Sequence, residues 1–158
     1  MEKRELREHI FRLLFAGDFH PEAEIGEQAE LYMLEDFSDE KVLPVPDEAE
    51  SSYISGKAGK VKAMEDELDR LINEETVGWS ADRMGTAERI IIRLALYEMR
   101  YDDDIPVKVA INEAVELARE YGGDNSPSFV NGVLGRLSKA AAGGGPDKEE
   151  APETLLSE

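Results

Sequence analysis

Residues 87–101 read Ala87-Glu88-Arg89-Ile90-Ile91-Ile92-Arg93-Leu94-Ala95-Leu96-Tyr97-Glu98-Met99-Arg100-Tyr101. Ile90, Ile91, Ile92, Leu94, Ala95, Leu96, Tyr97 and Met99 leave almost no polar side on a helix. A helix apolar nearly all round is normally the buried centre of a bundle. The flanking sequence supplies helices to surround it. Asp102-Asp103-Asp104 forms a short turn, and Pro106 stands where the start of a helix tolerates proline. Ala110, Ala114, Leu117, Ala118 and Tyr121 then repeat at helical spacing, up to a stop at Gly122-Gly123. Asn125 or Ser126 can cap a last helix with Pro127 in its first turn, and Val130, Val133, Leu134 and Leu137 form its inner face.

Toward the N-terminus, Tyr53, Ile54, Val61, Met64, Leu68, Leu71 and Ile72 continue a helical pattern from Asp47 to about Glu75. Gly56 and Gly59 either bend or divide it. Pro44 and Pro46 make residues 41–46 a loop. Ile25, Ala29, Tyr32, Met33 and Phe37 suggest a glutamate-rich surface helix over 22–37. Leu6, Ile10, Leu13, Leu14 and Gly17 place one apolar stripe on a first helix ending near Gly17-Asp18. No segment alternates as a strand would. The expected fold is all-α, with about six to seven helices in two packed helical bundles.

The chain has 158 residues, the size of one domain, no cysteine and a formal net charge of −18. Disulfides and cysteine-ligated metals are thereby excluded. No run approaches the roughly 18 apolar residues of a membrane span. Charges recur through Glu2–Arg12, unlike a secretory signal, so a cytoplasmic setting is expected. The charge is polarised: residues 18–50 hold twelve acids and one base, whereas residues 126–140 hold Arg136 and Lys139 and no acid. A uniformly cationic nucleic-acid surface is excluded, and RNA would have to meet the few basic places. From Gly143 onward the composition is that of a disordered acidic tail, so residues 1–140 are expected to form the domain and residues 141–158 the tail.

His9 and His20 are the only histidines, and no nucleophile–base–orienter set can be assembled around them. No catalytic residue, cofactor or metal is expected. Asp102-Asp103-Asp104 offers oxygen ligands suited to magnesium, but three consecutive turn residues do not converge on one ion, so a polar loop is expected.

The block from Trp79 to Gly135 resembles the NusB family. The resemblance rests on Arg83-Met84, Glu88-Arg89-Ile90, Leu94-Ala95-Leu96-Tyr97-Glu98-Met99, the run from Asp104 to Ala118 containing Lys108-Val109-Ala110-Ile111-Asn112-Glu113-Ala114, Tyr121-Gly122, and Phe129-Val130-Asn131-Gly132-Val133-Leu134. The Arg4–Phe19 segment is similar to the family's first helix; residues 20–78 match only in pattern. The resemblance implies a transcription antitermination factor of two perpendicular helical bundles. It also implies a partner, NusE, a small-subunit ribosomal protein, and single-stranded boxA RNA bound by the pair, helping RNA polymerase escape termination, notably in ribosomal RNA operons. Some RNA cytosine methyltransferases carry a similar domain, but this chain is too short to hold such an enzyme as well. A module that binds protein with little RNA affinity is the alternative. Monomer and homodimer both stay open.

Two RNA-binding places are expected. On the first helix, at roughly 100° per residue, Arg4 lies within about 20° of Phe11 and Phe15, with Arg7 about 60° away. Cations track phosphates and rings stack on unpaired bases. The resemblance makes Lys3, Arg4, Arg7 and Phe15 the candidates, against the bland reading of a solvated edge with Phe11 and Phe15 packed inward. Glu5 and Glu8 interrupt the basic run, and Glu5 stands where relatives often carry arginine, so RNA binding is expected to lean on the partner. The second place is the start of the last helix, where Asn125, Ser126 and Phe129 gather and Arg136 extends the surface. There the alternative is plain capping with Phe129 in the core. For the partner, the resemblance points to Glu88, Tyr97, Arg100, Tyr101 and Asp104, while Glu22, Glu24, Glu27 and Glu30 are an acidic alternative or a solvated face. Asn112 and Glu113 are expected to anchor packing through buried hydrogen bonds.

Overall fold

The structure, a computed structural model, describes residues 1–18 and 42–144. The expected 22–37 helix, its glutamates, and the tail from residue 145 lie outside the described residues. Among the described residues the chain is all-α, with no strand. The described residues fall into two compact units, divided between Met64 and Glu65.

In the first unit, α1 (Lys3–Asp18) packs against α2 (Glu48–Ala63). Ile10, Phe11, Leu13 and Leu14 of α1 and Ile54, Ala58 and Val61 of α2 are buried. The expected stripe on α1 is too narrow a description, because Arg7, Glu8, His9 and Arg12 are buried too. Each of these four polar side chains has a partner, which burial requires. One such partner fixes the loop before α2: His9 Nε2 lies 2.8 Å from the Pro44 carbonyl oxygen. A carbonyl only accepts, so Nε2 carries the proton of a neutral ring. Burial lowers the His9 pKa below the ordinary imidazole value, although the Pro44 bond opposes it. Above the unfolded pKa of about 6.5 the ring is neutral in both states and its contribution is fully present. As pH falls through that value only the unfolded chain takes the proton, and stability is lost. The urea midpoint is therefore expected to drop between pH 7.5 and 5.5, and to drop less in His9→Gln. Equal slopes for the two proteins would refute the assignment.

A capping box opens α2: the Asp47 carboxylate accepts the Glu50 N–H at 2.8 Å, and the Asp47 N–H donates to Glu50 Oε1 at 2.9 Å. Neither Gly56 nor Gly59 divides the element. The helix runs through both and stops at Met64, with φ −99° and ψ 9°. The charges agree with that position. Lys60 and Lys62 occupy the last turn of α2, and Glu65, Asp66 and Glu67 the first turn of the next helix, each complementing a helix-end dipole.

In the second unit, α3 (Glu65–Glu75) buries Leu68, Leu71 and Ile72, and a short 3-10 turn follows at Ala81–Arg83. The link between them is pinned. The Thr76 hydroxyl lies 2.5 Å from the Ile72 carbonyl and Asn73 Oδ1 accepts the Ala81 N–H at 2.9 Å. Gly78 turns the link with φ +90°, which only glycine adopts cheaply. Then come α4 (Thr86–Tyr101), α5 (Val107–Tyr121) and α6 (Ser126–Gly144). As expected, α4 is the centre: every residue from Ile90 to Arg100 is buried. It packs against α3, α5 and α6. The small side chains of Ala110, Ala114 and Ala118 on α5 let its neighbours approach, while Val130, Val133, Leu134 and Leu137 of α6 are fully buried. Each of these larger side chains contributes about 1.5–3 kcal/mol through removal from water.

Two arginines on α4 tie it to α3. Arg93 grips Asp69 with both arms at 2.7 Å, with Glu65 at 3.7 Å. Arg100 binds Glu75 at 2.5 Å and the Leu137 carbonyl at 3.0 Å. Pro106 is the N-cap of α5, one residue earlier than expected. In the acidic turn the Asp102 carboxylate accepts the Asp104 N–H at 3.1 Å, so it serves the turn itself. Asn112 departs from expectation: it is exposed, because it projects from the side of α5 opposite its alanines, whereas Glu113, on the flank of the buried face, is half-buried and has a partner.

Candidate nucleic-acid interface

The α1 candidates divide. Lys3 and Arg4 are exposed at the start of the helix, Phe15 is half-buried, and Arg7 is buried. The rotation that sets Arg7 about 60° from Arg4 carries it off the solvated edge. Phe11 is buried too, with Phe15 tilted against it at 5.8 Å between ring centres. Phe11 and Phe15 thus follow the packed alternative more closely than that of two open stacking rings. Glu5 accepts the Glu2 N–H at 2.9 Å, a local bond that leaves its negative charge beside Lys3 and Arg4.

At the other place α6 opens at Ser126 after Gly122-Gly123, so Asn125 takes the cap position and its carbonyl accepts the Phe129 N–H at 3.1 Å. Asn125 and Arg136 are exposed and Phe129 is half-buried. Ser126 is buried and spent on the fold: its hydroxyl accepts the Gly123 N–H at 3.0 Å and donates to Glu88 Oε2 at 2.6 Å. That bond joins an RNA candidate to a partner candidate, a link across 38 residues that spacing could not reveal. Gly122 makes it sterically accessible. A side chain there would meet Ser126 Cβ at 2.5 Å.

The partner candidates also separate. Tyr97 and Arg100 are buried, Tyr97 lying 6.0 Å from the half-buried Tyr101 ring. Arg100 is held by Glu75 and by the last helix. Glu88 is half-buried and Asp104 exposed, so Tyr101, Asp104 and part of Glu88 remain reachable. Among the described residues, no group of acidic or histidine side chains could hold a metal, and no helix is long and apolar enough to cross a membrane.

One residue of this region carried no signal in the sequence. Trp79 is half-buried with its ring edge-on to Phe129, 5.9 Å between centres and 79° between planes. An isolated tryptophan in a linking turn has no periodicity to place it, and its neighbour lies far along the chain.

The helical order and the Asp104–Ala118 and Phe129–Leu134 runs agree with the model of the NusB family, which matches residues 4–139. The chain belongs to the NusB family. It is 45% identical over 138 residues to the transcription antitermination protein NusB of Agathobacter rectalis, covering 87% of this chain and 100% of that one. Among solved structures it is similar to T. maritima NusB, with a TM-score of 0.75, 28% identity and coverage of 100% of this chain and 99% of the other. The NusB fold is also matched in a structure of the antitermination factors NusB and NusE with double-stranded RNA, at a TM-score of 0.71 and 24% identity over 87% of this chain and 96% of that one.

Proposed function

We propose that this protein is a transcription antitermination factor that binds boxA-type single-stranded RNA jointly with NusE, within the RNA polymerase antitermination complex and notably on ribosomal RNA operons. The observation that carries the reading is the match along the full length of a transcription antitermination protein at 45% identity. The site chemistry supports it. Exposed Lys3, Arg4 and Arg136 can meet phosphates, and half-buried Phe15 and Phe129 can meet bases. Asn125 adds a polar group, while Ser126 and Arg7 hold the scaffold. Tyr101, Asp104 and Glu88 are the accessible partner residues. Residues 1–140 are read as the binding domain, and the last helix runs on to Gly144, four residues into the stretch expected as a tail. The protein acts in the cytoplasm by binding, without catalysing a reaction.

Burial of Arg7 favours a second reading, a protein-interaction module with little RNA affinity of its own, because α1 then presents few cations to RNA. A fluorescent boxA-type RNA titrated with the protein alone and with NusE, at two salt concentrations, separates the two. Joint binding with a steep salt dependence supports the first; partner binding without RNA supports the second. Within the first, Lys3→Ala with Arg4→Ala is expected to weaken RNA binding several-fold. The salt slope should flatten by about 0.7 for each phosphate that is no longer neutralised. Arg7→Ala is expected to act on the melting temperature instead. RNA affinity unchanged in the Lys3/Arg4 double variant would remove α1 from the interface.

A further inference from the structure

The acids of this chain are gathered in groups, and one group follows the last helix directly. Residues 145–158, outside the described residues, contain Asp147, Glu149, Glu150, Glu153 and Glu158 against the single base Lys148, with Leu155-Leu156 toward their end. The match to the family ends at residue 139, before this stretch begins.

The helix that leads into it carries the opposite charge. Arg136 and Lys139 are exposed on α6, and residues 126–140 contain no acid. Lys139, Arg136, Gly132 and Phe129 fall within about 80° of one another around the helix. At the far end of this stripe the half-buried Trp79 ring stands edge-on to Phe129. A Cβ at the exposed Gly132 would lie 3.8 Å from that ring, so glycine leaves the Trp79 edge uncovered on this side. Going back from the helix end, cations come first and rings second. Going forward along 145–158, acids come first and leucines second.

The spans agree as well as the order. At about 1.5 Å of rise per residue, Arg136 lies roughly 12 Å and Gly132 roughly 18 Å back from Gly144. An unconstrained chain as long as 144–149 spans about 12 Å root-mean-square, and one as long as 144–155 about 18 Å. A tether whose span equals the gap gives its end the highest effective concentration, on the order of millimolar. Exposed ion pairs are individually weak, so such a contact yields to a ligand that also brings many charges.

We propose that residues 145–158 fold back along α6 and act as an internal competitor of RNA, with their acids on Arg136 and Lys139 and Leu155-Leu156 against the Trp79 edge. The competition rests on the RNA-binding reading of the protein and adds a regulation to it: RNA must displace the chain's own segment to reach the helix.

Trp79, the only tryptophan of the chain, reports the contact without RNA. In the full chain, Leu155→Ser with Leu156→Ser, which keeps every charge, is expected to move Trp79 emission to longer wavelength, independently of protein concentration. Removing residues 145–158 should do the same, and a synthetic 145–158 peptide should reverse it, whereas the peptide carrying both serines should not. With NusE present, boxA-type RNA is expected to bind the double-serine variant about 5-fold more tightly than the parent at low salt, a gain that shrinks at high salt. Emission unchanged in the double-serine variant overturns the docking. A gain in RNA affinity that follows loss of the acids but not of the leucines means plain charge repulsion and also overturns it. An emission shift that depends on protein concentration assigns the contact to a second copy and overturns the internal one. If RNA binds neither protein, the RNA-binding reading fails and the competition with it, while the emission shift still decides whether the segment docks.

Discussion

Gly122→Ala is expected to destabilise the fold by about 3 kcal/mol, through overpacking and the loss of a charge-assisted hydrogen bond. In a chain of this size that corresponds to a fall of roughly 6–12 °C in melting temperature. The backbone itself would accept alanine, since Gly122 has φ −101° and ψ −177°, ordinary extended values. Space is what forbids it. An added Cβ would stand 2.5 Å from Ser126 Cβ, 2.6 Å from Ser126 Oγ and 2.8 Å from the Ala118 carbonyl oxygen. That carbonyl is fixed by its bond from the Gly122 N–H at 2.9 Å. Ser126 must therefore retreat, breaking its 2.6 Å bond to Glu88. Ser126→Ala loses the same bond without the clash and is expected to cost about 1.5 kcal/mol. Combining Gly122→Ala with Ser126→Gly removes two of the three atoms that collide and leaves only the Ala118 carbonyl oxygen, so the double variant should lose less than the sum of its parts. Thermal melts of the variants check this. A Gly122→Ala protein as stable as the parent would mean that the approach of α5 and α6 is looser than described.

Asp69→Ala is expected to cost about 3 kcal/mol, the lower part of the range for removing one member of a buried ion pair. The Arg93 side chain is 10% exposed and Asp69 26% exposed, so the deletion strands the more deeply buried charge. Glu65, 3.7 Å away, offsets part of that penalty and keeps the cost from the upper end of the range. Arg93→Met with Asp69→Leu removes both charges and restores apolar packing between α3 and α4. It is expected to recover most of the loss. Urea unfolding of the two single variants and the double gives the coupling directly. A coupling near zero would assign the loss to packing of the side-chain stems.

These two effects mark where reading along the chain ends. The central helix was legible because Ile90–Met99 has no polar side to turn outward, and the buried faces of α3, α5 and α6 follow from their 3.6-residue spacing. What spacing cannot show is a pairing of side chains that are distant in sequence. Arg93 with Asp69, Arg100 with Glu75 and Ser126 with Glu88 are such pairs, and they explain why Arg100 and Ser126, expected at interfaces, are occupied by the fold. Glycine was read only through its conformational freedom. Gly56 and Gly59 do not divide α2, which ends later, at Met64, and Gly122 is needed for room. On α1, Lys3 and Arg4 stand where a solvated edge was expected, but the burial of Arg7 and Phe11 needed knowledge of what surrounds the helix. Asn112 has the opposite history: a residue central to the family pattern was assigned to the interior and stands in solvent.

The unbroken burial of Ile90–Arg100 has a consequence for exchange with heavy water. Amide protons along that helix have no solvent-facing edge from which to fray, so they should be released only when the second unit opens as a whole. Their exchange rates therefore report the opening free energy of that unit residue by residue, in the intact chain at ambient temperature and without added denaturant. Amides near the exposed start of α6 should exchange far sooner. The contrast lets bound RNA be detected as slowed exchange at the surface against a constant internal reference.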